Sequence, residues 1–444
     1  MKIVIVGGGA REHVIAEKLY AQGHKIYYTS KRKNIGMEKC ASLSSRNDER
    51  DAENIAAFAL KCAADLVIIG PEDPLEAGVS DAVEKVGIPC YGPTKGAARI
   101  ETSKKFTRKL MDKYHIEGNP RHAVFENERE AVEFVQEADF PLVVKPSGLT
   151  GGKGVKVEGV QLSDRKASIE YVKELFRKNG SSDGVVIEER LEGEEFSLQA
   201  ACDGKHLYPF PLVQDHKRAF EEDKGPNTGG MGSYSMKDGL LPFIERKDME
   251  HALEIMKKAV TALKKEGYEF RGTLYGGFIY TASGVKLLEF NARFGDPEAM
   301  NVIAVSEGDI GEFFMGAACG EIGSKLTFRK LATLCRYFVP IGYGAKPVSG
   351  AEISVDNQCV SENGCSLYFA SLEERNGKIL TTSSRSLALL GVAEEPWLAV
   401  HALEAASHCV SGLVYSRKDI GTREEIELKR KRGEMLRGSG NLEA

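Results

Sequence analysis

The stretch LLEFNARFGDPE at 287–298 sets Glu289, Asn291 and Arg293 in alternation with Phe290, Ala292 and Phe294. Side chains two apart in an extended chain share a face. One face therefore carries a carboxylate, an amide and a guanidinium, and the other is apolar. Glu289 and Asn291 offer the hard oxygen donors that magnesium takes, usually together with nucleotide phosphates. Arg293 extends the same face and suits a γ-phosphate or a substrate carboxylate held in bidentate fashion. The plainer alternative is a half-exposed strand with a salt bridge.

Other stretches invite the same chemistry. In VVKPSGLTGGKGVKV (143–157) a β run ends in Lys145, and glycines follow at 148, 151, 152 and 154 with Lys153 among them. A Walker A loop would continue through Gly-Lys-Ser/Thr into a helix. Here Val155 and Val157 resume alternation, so the loop caps a β-hairpin. Its glycines, Gly151, Gly152 and Gly154, let backbone N–H groups close on phosphate oxygens, and Lys153 adds a point charge. Lys145 is placed to reach inner phosphates. In VVIEERLEGEEFS (185–197) a buried run breaks after Glu189. Such a break exposes a backbone N–H and C=O for an adenine edge, and a carboxylate a few residues on can hold ribose hydroxyls. The long polar segment QDHKRAFEEDKGPNTGGMGSYS (214–235) holds Asp215, His216, Lys217 and Arg218, then Asn227, Gly229, Gly230 and Gly232. Long loops of this kind are usually functional or mobile. His216 alone would be unremarkable.

The elements that must position these residues can be read from periodicity. Residues 1–100 alternate strand and helix, with strands at 2–6, 25–29 and 66–70 and a fourth near 86–91. That pattern predicts a doubly wound parallel sheet with its ligand at the C-terminal strand ends, which read GGGAREH, GPEDPL and GPTK. A dinucleotide-binding turn fits poorly. Glu12 stands where its third glycine belongs, and no acid follows the second strand. A basic helix is expected over 101–118, and further helices over 127–138, 163–178, 248–265 and 396–410. Strands are expected over 365–392. The charged tail from 423 reads as a solvated helix end with a frayed terminus. No repeat of 20–50 residues occurs.

The 444 residues carry 42% hydrophobic and 28% charged side chains and a net charge of −5, normal for a globular chain and not basic enough for a nucleic-acid binder. No apolar run approaches the ~18 residues of a membrane span, and the N-terminus reads as a first strand rather than a signal peptide. The nine cysteines are scattered without a C-x-x-C, as expected of buried thiols in a reducing compartment. A cytoplasmic protein is expected.

Taken in order, these motifs resemble the ATP-grasp superfamily. Within it GAREH, GPEDPL, GPT, SKKFTRKLM, VIEERLEGEE, QDHKR, GPNTGGMGSYS, LEFNARFGDPE and YSRKDIG are similar to the phosphoribosylamine–glycine ligase family, over residues 1 to about 421. The resemblance implies an α/β multidomain fold. It has an N-terminal parallel α/β pre-ATP-grasp domain (1–101), a two-lobed α+β ATP-grasp domain (102–328, small lobe about 119–190), a C-terminal α+β domain (329–424) and a charged tail (425–444). It implies ATP and Mg2+ (or Mn2+) as co-substrate and metal, and glycine and 5-phosphoribosylamine as small-molecule partners. No nucleic acid, membrane or obligate protein partner is expected, and a monomer suffices. Carried over, Lys104, Lys145 and the loop with Gly151, Gly152, Lys153 and Gly154 contact ATP phosphates. Glu189, Arg190 and Leu191 flank adenine, and Glu195 holds ribose. Glu289 and Asn291 bind metal. Arg293, Asp215, Asn227, Gly229 and Gly230 face glycine and the acyl phosphate. Gly9, Arg11, Glu12, Glu72, Pro93 and Thr94 form the phosphoribosylamine site.

Departures from the family pattern are few. Thr150 and Gly151 stand where alanines are common and Arg190 where an aromatic is common, and ATLCRYFVPIGYGAKP (332–347) departs further from the glycine-rich pattern of the C-terminal domain. Fused synthetase or transformylase domains are not expected. The competing readings are another ATP-grasp ligase, which QDHKR and GPNTGGMG argue against, and a dehydrogenase or sensor, which leaves Glu289, Asn291 and the glycine loop unexplained.

Overall fold

The computed structural model describes residues 1–151, 154–179 and 184–440; Gly152 and Lys153 of the glycine loop lie outside the described residues. Short, fully apolar runs such as KIVIV and LVII form a five-stranded parallel sheet in the order Ala41–Arg46, Lys25–Ser30, Lys2–Val6, Leu66–Ile69, Cys90–Tyr91. The chain reverses its direction of progress across the sheet beside Lys2–Val6. The loops after Val6 and Ile69 therefore open a crevice there, the place where open α/β sheets take ligands. Gly7-Gly8-Gly9 follows the first of these strands and Gly70-Pro71-Glu72 the second.

A basic helix over 101–118 is not what forms. Two helices, Lys95–Thr102 and Lys104–Lys113, are separated by Ser103, whose extended backbone (φ −140°, ψ 100°) and hydroxyl cap the second helix at the Phe106 N–H. Next comes a four-stranded antiparallel sheet, in the order His122–Phe125, Val185–Glu189, Leu142–Pro146, Lys156–Val157. It has its own core, in which Ala131, Val135, Tyr171, Val172 and Leu175 pack on Leu142, Val144 and Ile187. Leu142–Pro146 pairs antiparallel with Lys156–Val157, so the glycine loop joins two hairpin strands as expected.

A second four-stranded antiparallel sheet runs Leu207–Pro209, Glu194–Asp203, Arg271–Thr281, Gly284–Asn291. Strand Gly232–Ser235 pairs with Ala332–Pro340, so the 214–235 segment shares a six-stranded sheet with the C-terminal region. These parallel and antiparallel sheets, flanked by helices, are the α/β and α+β organisation expected from the sequence.

Two expectations are corrected. The tail is not a solvated end: it forms the helix Arg423–Gly440, which packs on the body through Ile426 and through ion pairs of Lys429, Arg432 and Arg437. Its dense charge hid those partners, which lie about 200 residues upstream in sequence. The cysteines are not all thiols, because Cys359 and Cys409 form a disulfide across a separation of 50 residues. Scattered spacing gave no sign of that pairing. Of the free cysteines only Cys319 is exposed.

Candidate active site

Strand Gly284–Asn291 contains a register shift against its partner. Phe278 faces Leu287 and Gly277 faces Glu289, which leaves Leu288 as an extra residue. Val285, Leu287 and Phe290 are buried. Unbroken alternation from Val285 and Leu287 would have sent Glu289 into the core; the bulge resets the phase and turns Glu289 and Asn291 outward. The Leu288 carbonyl, freed from regular pairing, accepts hydrogen bonds from Arg108 Nη2 (2.9 Å) and Lys145 Nζ (3.2 Å).

Those two cations share Glu188. Arg108 Nε lies 2.7 Å from Glu188 Oε1 and Nη2 3.1 Å from Oε2, and Lys145 Nζ lies 2.7 Å from Oε2. Burial acts to raise the Glu188 pKa, but Arg108 and Lys145 overcome it and hold the carboxyl at about 2. The cluster keeps one net positive charge beside the bulge. Lys104 stands at the first position of its helix, where a cation opposes the helix dipole. Its Nζ donates to the Gly148 carbonyl at 3.1 Å. Burial draws its pKa below the ordinary value against the pull of Glu289.

Lys104, Lys145, Gly151, Glu188, Glu289, Asn291, Arg293 and Glu72 line one cleft with about 690 Å³ of open space. Within it, Arg293 has carboxylates on two sides: Nε is 3.3 Å from Glu72 Oε2 and Nη2 is 3.0 Å from Glu101 Oε1. Burial pushes Glu101 up to about 7 despite Arg293, and its Oε2 accepts the Ala292 N–H at 2.7 Å. For Glu72, burial is outweighed by Arg293 and Arg11, which hold it at about 2.

Glu289 and Asn291 differ from these neighbours, for neither side chain has a hydrogen-bond or ion-pair partner among the described residues. Burial opposes ionisation of Glu289, yet Lys217, Lys104, Lys145 and Arg293 bring it below its ordinary value. An ionised carboxylate and a free amide oxygen on one strand face fit a hard divalent cation. Among the described residues no group of three or more His, Cys, Asp or Glu side chains could hold a metal. The remaining ligands would therefore have to come from phosphate and water.

Other expected site residues fall in different places. Glu189, Arg190, Leu191 and Glu195 do not line this cleft. The Glu189 N–H donates to Arg121 O (2.9 Å) and the Arg190 N–H to Pro141 O (2.8 Å), while the Leu191 N–H has no partner among the described residues. Glu195 Oε2 lies 3.4 Å from Lys217 Nζ. Asp215 Oδ1 is buried without a hydrogen-bond partner, and burial together with Glu298 raises its pKa well above the usual carboxylate range.

Gly230 has φ +103°, and a Cβ there would lie 2.6 Å from Pro297 Cδ and 2.7 Å from Asp215 Oδ1. The turn thus needs glycine to lie against both. The Gly229 carbonyl accepts from Arg385, and Asn227 pairs with Arg218 in a short hairpin. Glu12 is buried. Its Oε2 accepts the Gly9 N–H and its Oε1 the Arg11 Nε–H, both at 2.6 Å, and Arg11 Nη1 reaches the Phe294 carbonyl at 2.9 Å. The GGG turn is thereby tied to the FGDPE turn. Pro93 and Thr94 precede the helix that carries Ile100 and Glu101 into the cleft.

Residues without a motif complete the arrangement. Arg108, Glu188 and Glu101 were not among the expected site residues, and a buried ion pair 80 residues apart leaves no local signal. Arg385 pairs with Asp296 (2.9 Å) and lies over the Tyr337 ring, although SSRS announces nothing.

The family models for the N domain and the ATP-grasp (A) domain of phosphoribosylglycinamide synthetase match residues 1–101 and 102–299. A phosphoribosylamine–glycine ligase from Methanoregula boonei is 50% identical over 430 residues, 96% of this chain and 98% of its own length. One from Pyrococcus furiosus is 45% identical over 438 residues, 99% and 98% of the two chains. The crystal structure of a phosphoribosylamine–glycine ligase from Thermotoga maritima superposes with a TM-score of 0.79 at 27% identity, covering 94% of this chain and 100% of that one. A biotin carboxylase domain from Hydrogenobacter thermophilus shares the fold, with a TM-score of 0.70 at 17% identity over 99% and 95% of the two chains.

Proposed function

The chain belongs to the phosphoribosylamine–glycine ligase family, and from that premise we propose how its residues divide the work. The reaction is the ATP-dependent joining of glycine to 5-phosphoribosylamine in de novo purine biosynthesis, giving glycinamide ribonucleotide, ADP and phosphate. The glycine carboxylate attacks the γ-phosphorus and ADP leaves, which forms glycyl phosphate. The amine nitrogen of phosphoribosylamine then attacks the glycyl carbonyl, phosphate departs, and the nitrogen gives up a proton. Chemistry of this kind depends on placement and charge neutralisation rather than on a covalent nucleophile.

Lys104 and Lys145 neutralise ATP phosphates, and the hairpin loop with Gly151 and Gly154 closes over them. The Leu191 N–H meets the adenine edge, and Glu195 the ribose. Glu289 and Asn291 would hold magnesium or manganese, which when bound with ATP supplies further charge neutralisation at the phosphates. Asp215, with its unpartnered oxygen beside Glu298, receives the glycine ammonium, and Gly229, Gly230 and Asn227 shape its surroundings. Arg293, aimed by Glu72 and Glu101, faces the acyl-phosphate anion. The GGG turn with Gly9, Arg11 and Glu12, together with Glu72, Pro93 and Thr94, seats phosphoribosylamine. We also assign this work to the cytoplasm and to a single chain with no obligate protein partner; among the described residues no helix is long and apolar enough to cross a membrane.

The observation that carries these roles is the convergence of Lys104, Lys145 and Arg293 with two unpartnered hard oxygen donors in one cleft. Phosphate release from ATP and magnesium tests the reading. Release is expected only when glycine and freshly made phosphoribosylamine are both present; turnover with either one missing overturns it.

A further inference from the structure

Neither family model reaches the helix Arg423–Gly440, yet that helix grips two residues next in sequence to site residues. Glu194 and Glu195 are consecutive on strand Glu194–Asp203 and face opposite ways. Glu194 is buried, with Lys429 Nζ 2.9 Å from its Oε2 and Arg432 Nη1 2.9 Å from its Oε1. Glu195 is exposed and lies against Lys217. On the neighbouring segment His216, between Asp215 and Lys217, is buried, and its Nε2 lies 3.1 Å from Glu425 Oε1. Gln214 ties the two grips together, its Nε2 donating to the Glu195 carbonyl at 3.1 Å and to Glu194 Oε2 at 3.4 Å.

The seat of the helix is specific. A Cβ at Gly433 would come within 2.5 Å of Phe243 Cβ and 2.9 Å of Phe243 Cα, so only glycine permits this approach. Arg437 anchors the following turn on Asp248 Oδ2 (3.2 Å) and on the Phe243 carbonyl (3.0 Å).

We propose that the helix Arg423–Gly440 positions two assigned binding residues from outside the cleft, setting Glu195, the ribose carboxylate, through Glu194 and setting Asp215, with Lys217, through His216. The physical reason lies in strand alternation. A buried carboxylate stripped of its cations is strongly unfavourable. Short of taking up a proton, the strand relieves it by turning Glu194 toward water, and a strand that turns one residue outward carries its neighbour the other way. Lys429 and Arg432 thus keep Glu195 on the face it shares with Lys217. Glu425, Lys429 and Arg432 are positioning residues, since none of them lines the cleft. The proposal rests on the reading of Glu195 as the ribose-binding carboxylate.

The test uses the full chain and ATP binding measured by calorimetry without glycine or phosphoribosylamine, so that it does not depend on turnover. Lys429→Met is expected to weaken ATP binding and raise KM for ATP on the order of tenfold, with kcat and KM for glycine within about twofold. Lys429→Arg restores the affinity. Gly433→Ala lifts the helix without changing any charge and shifts ATP affinity in the same direction. Unchanged ATP affinity in Lys429→Met and Gly433→Ala, with only the melting temperature lowered, overturns the proposal. In Lys429→Met, which loosens Glu194 and leaves the His216–Glu425 contact in place, a matching rise in KM for glycine overturns it as well; in Gly433→Ala such a rise is expected, because lifting the helix also frees His216 beside Asp215. If the unaltered chain binds ATP yet releases no phosphate with both substrates, the functional reading fails, and the variants' ATP affinities still decide the helix.

Discussion

On the floor of the cleft Lys145 and Arg293 already have carboxylate partners: Glu188 for the first, Glu72 and Glu101 for the second. The 214–235 segment is built the other way. Asp215 keeps a buried oxygen without a partner among the described residues, and burial and a second acid, Glu298, raise its pKa against the pull of Lys217 and Arg385. The floor thus arrives assembled, its cations aimed by internal ion pairs that need no ligand. The segment holds a carboxyl whose charged form burial and Glu298 disfavour. Preorganised charge of the first kind suits phosphates whose charge shifts during reaction, because nothing has to reorient when it does. A buried acid of the second kind suits a ligand that brings its own cation, such as an amino acid, because an opposite charge beside it favours its ionised form.

The contrast can be broken at the floor first. Glu188→Ala strands Arg108 and Lys145 as buried, unpaired cations, and denaturant unfolding should show a loss of about 3–5 kcal/mol. A loss near zero would mean that the floor is not held by this cluster.

Glu101 gives the next largest effect and depends on pH. Its folded-state pKa, about 7, is raised from the usual 4.5. Its contribution to stability is therefore fully present below the unfolded value and is lost as pH rises through 7. Glu101→Gln should remove this dependence, so that its stability relative to the parent chain climbs between pH 4.5 and pH 7, by up to about 3 kcal/mol. Glu72 carries the opposite sign: held at about 2, it contributes stability above 4.5 that is lost as pH falls through its folded value. Melting curves across pH separate the two.

Glu289→Gln should lower magnesium-dependent turnover on the order of 10²-fold, at least the cost of losing an outer-shell metal partner, while stability moves by less than about 1 kcal/mol. Equal losses of activity and stability would return Glu289 to the role of an ordinary surface acid. The smallest effect belongs to the segment. Asp215→Asn should leave stability unchanged or raise it by about 1 kcal/mol, since a buried unpaired acid is relieved. KM for glycine should rise about tenfold if the ammonium loses a charged partner, worth roughly 1.4 kcal/mol. A large loss of stability there would erase the difference between the two regions.

Much of the floor was legible because period-2 spacing and glycine clustering are local signals. Lys145 before its hairpin loop, and Glu289 with Asn291, were found that way. The parallel N-terminal sheet was legible for the same reason, through short apolar runs separated by amphipathic helices. The bulge at Leu288 was not. The apolar phase changes between Leu287 and Phe290, but only pairing with Arg271–Thr281 decides where the extra residue sits. Nor could Glu101, Glu188 or Arg108 be singled out, because buried ion pairs join residues whose distance along the chain carries no pattern. The tail was misread for the same reason: a densely charged stretch looks solvated until its partners are known.

The amino-acid sequence by itself determined which chemistry was at hand: oxygen donors two apart, lysines beside a glycine loop, a broken strand that leaves a backbone N–H open. It did so because residue type and strand period are properties of a few consecutive residues. The tertiary structure alone decided which charges are spent on one another and which remain for a ligand. That is set by burial and by long-range pairing. In a low-dielectric interior a charge keeps its reach only where the fold has given it no partner.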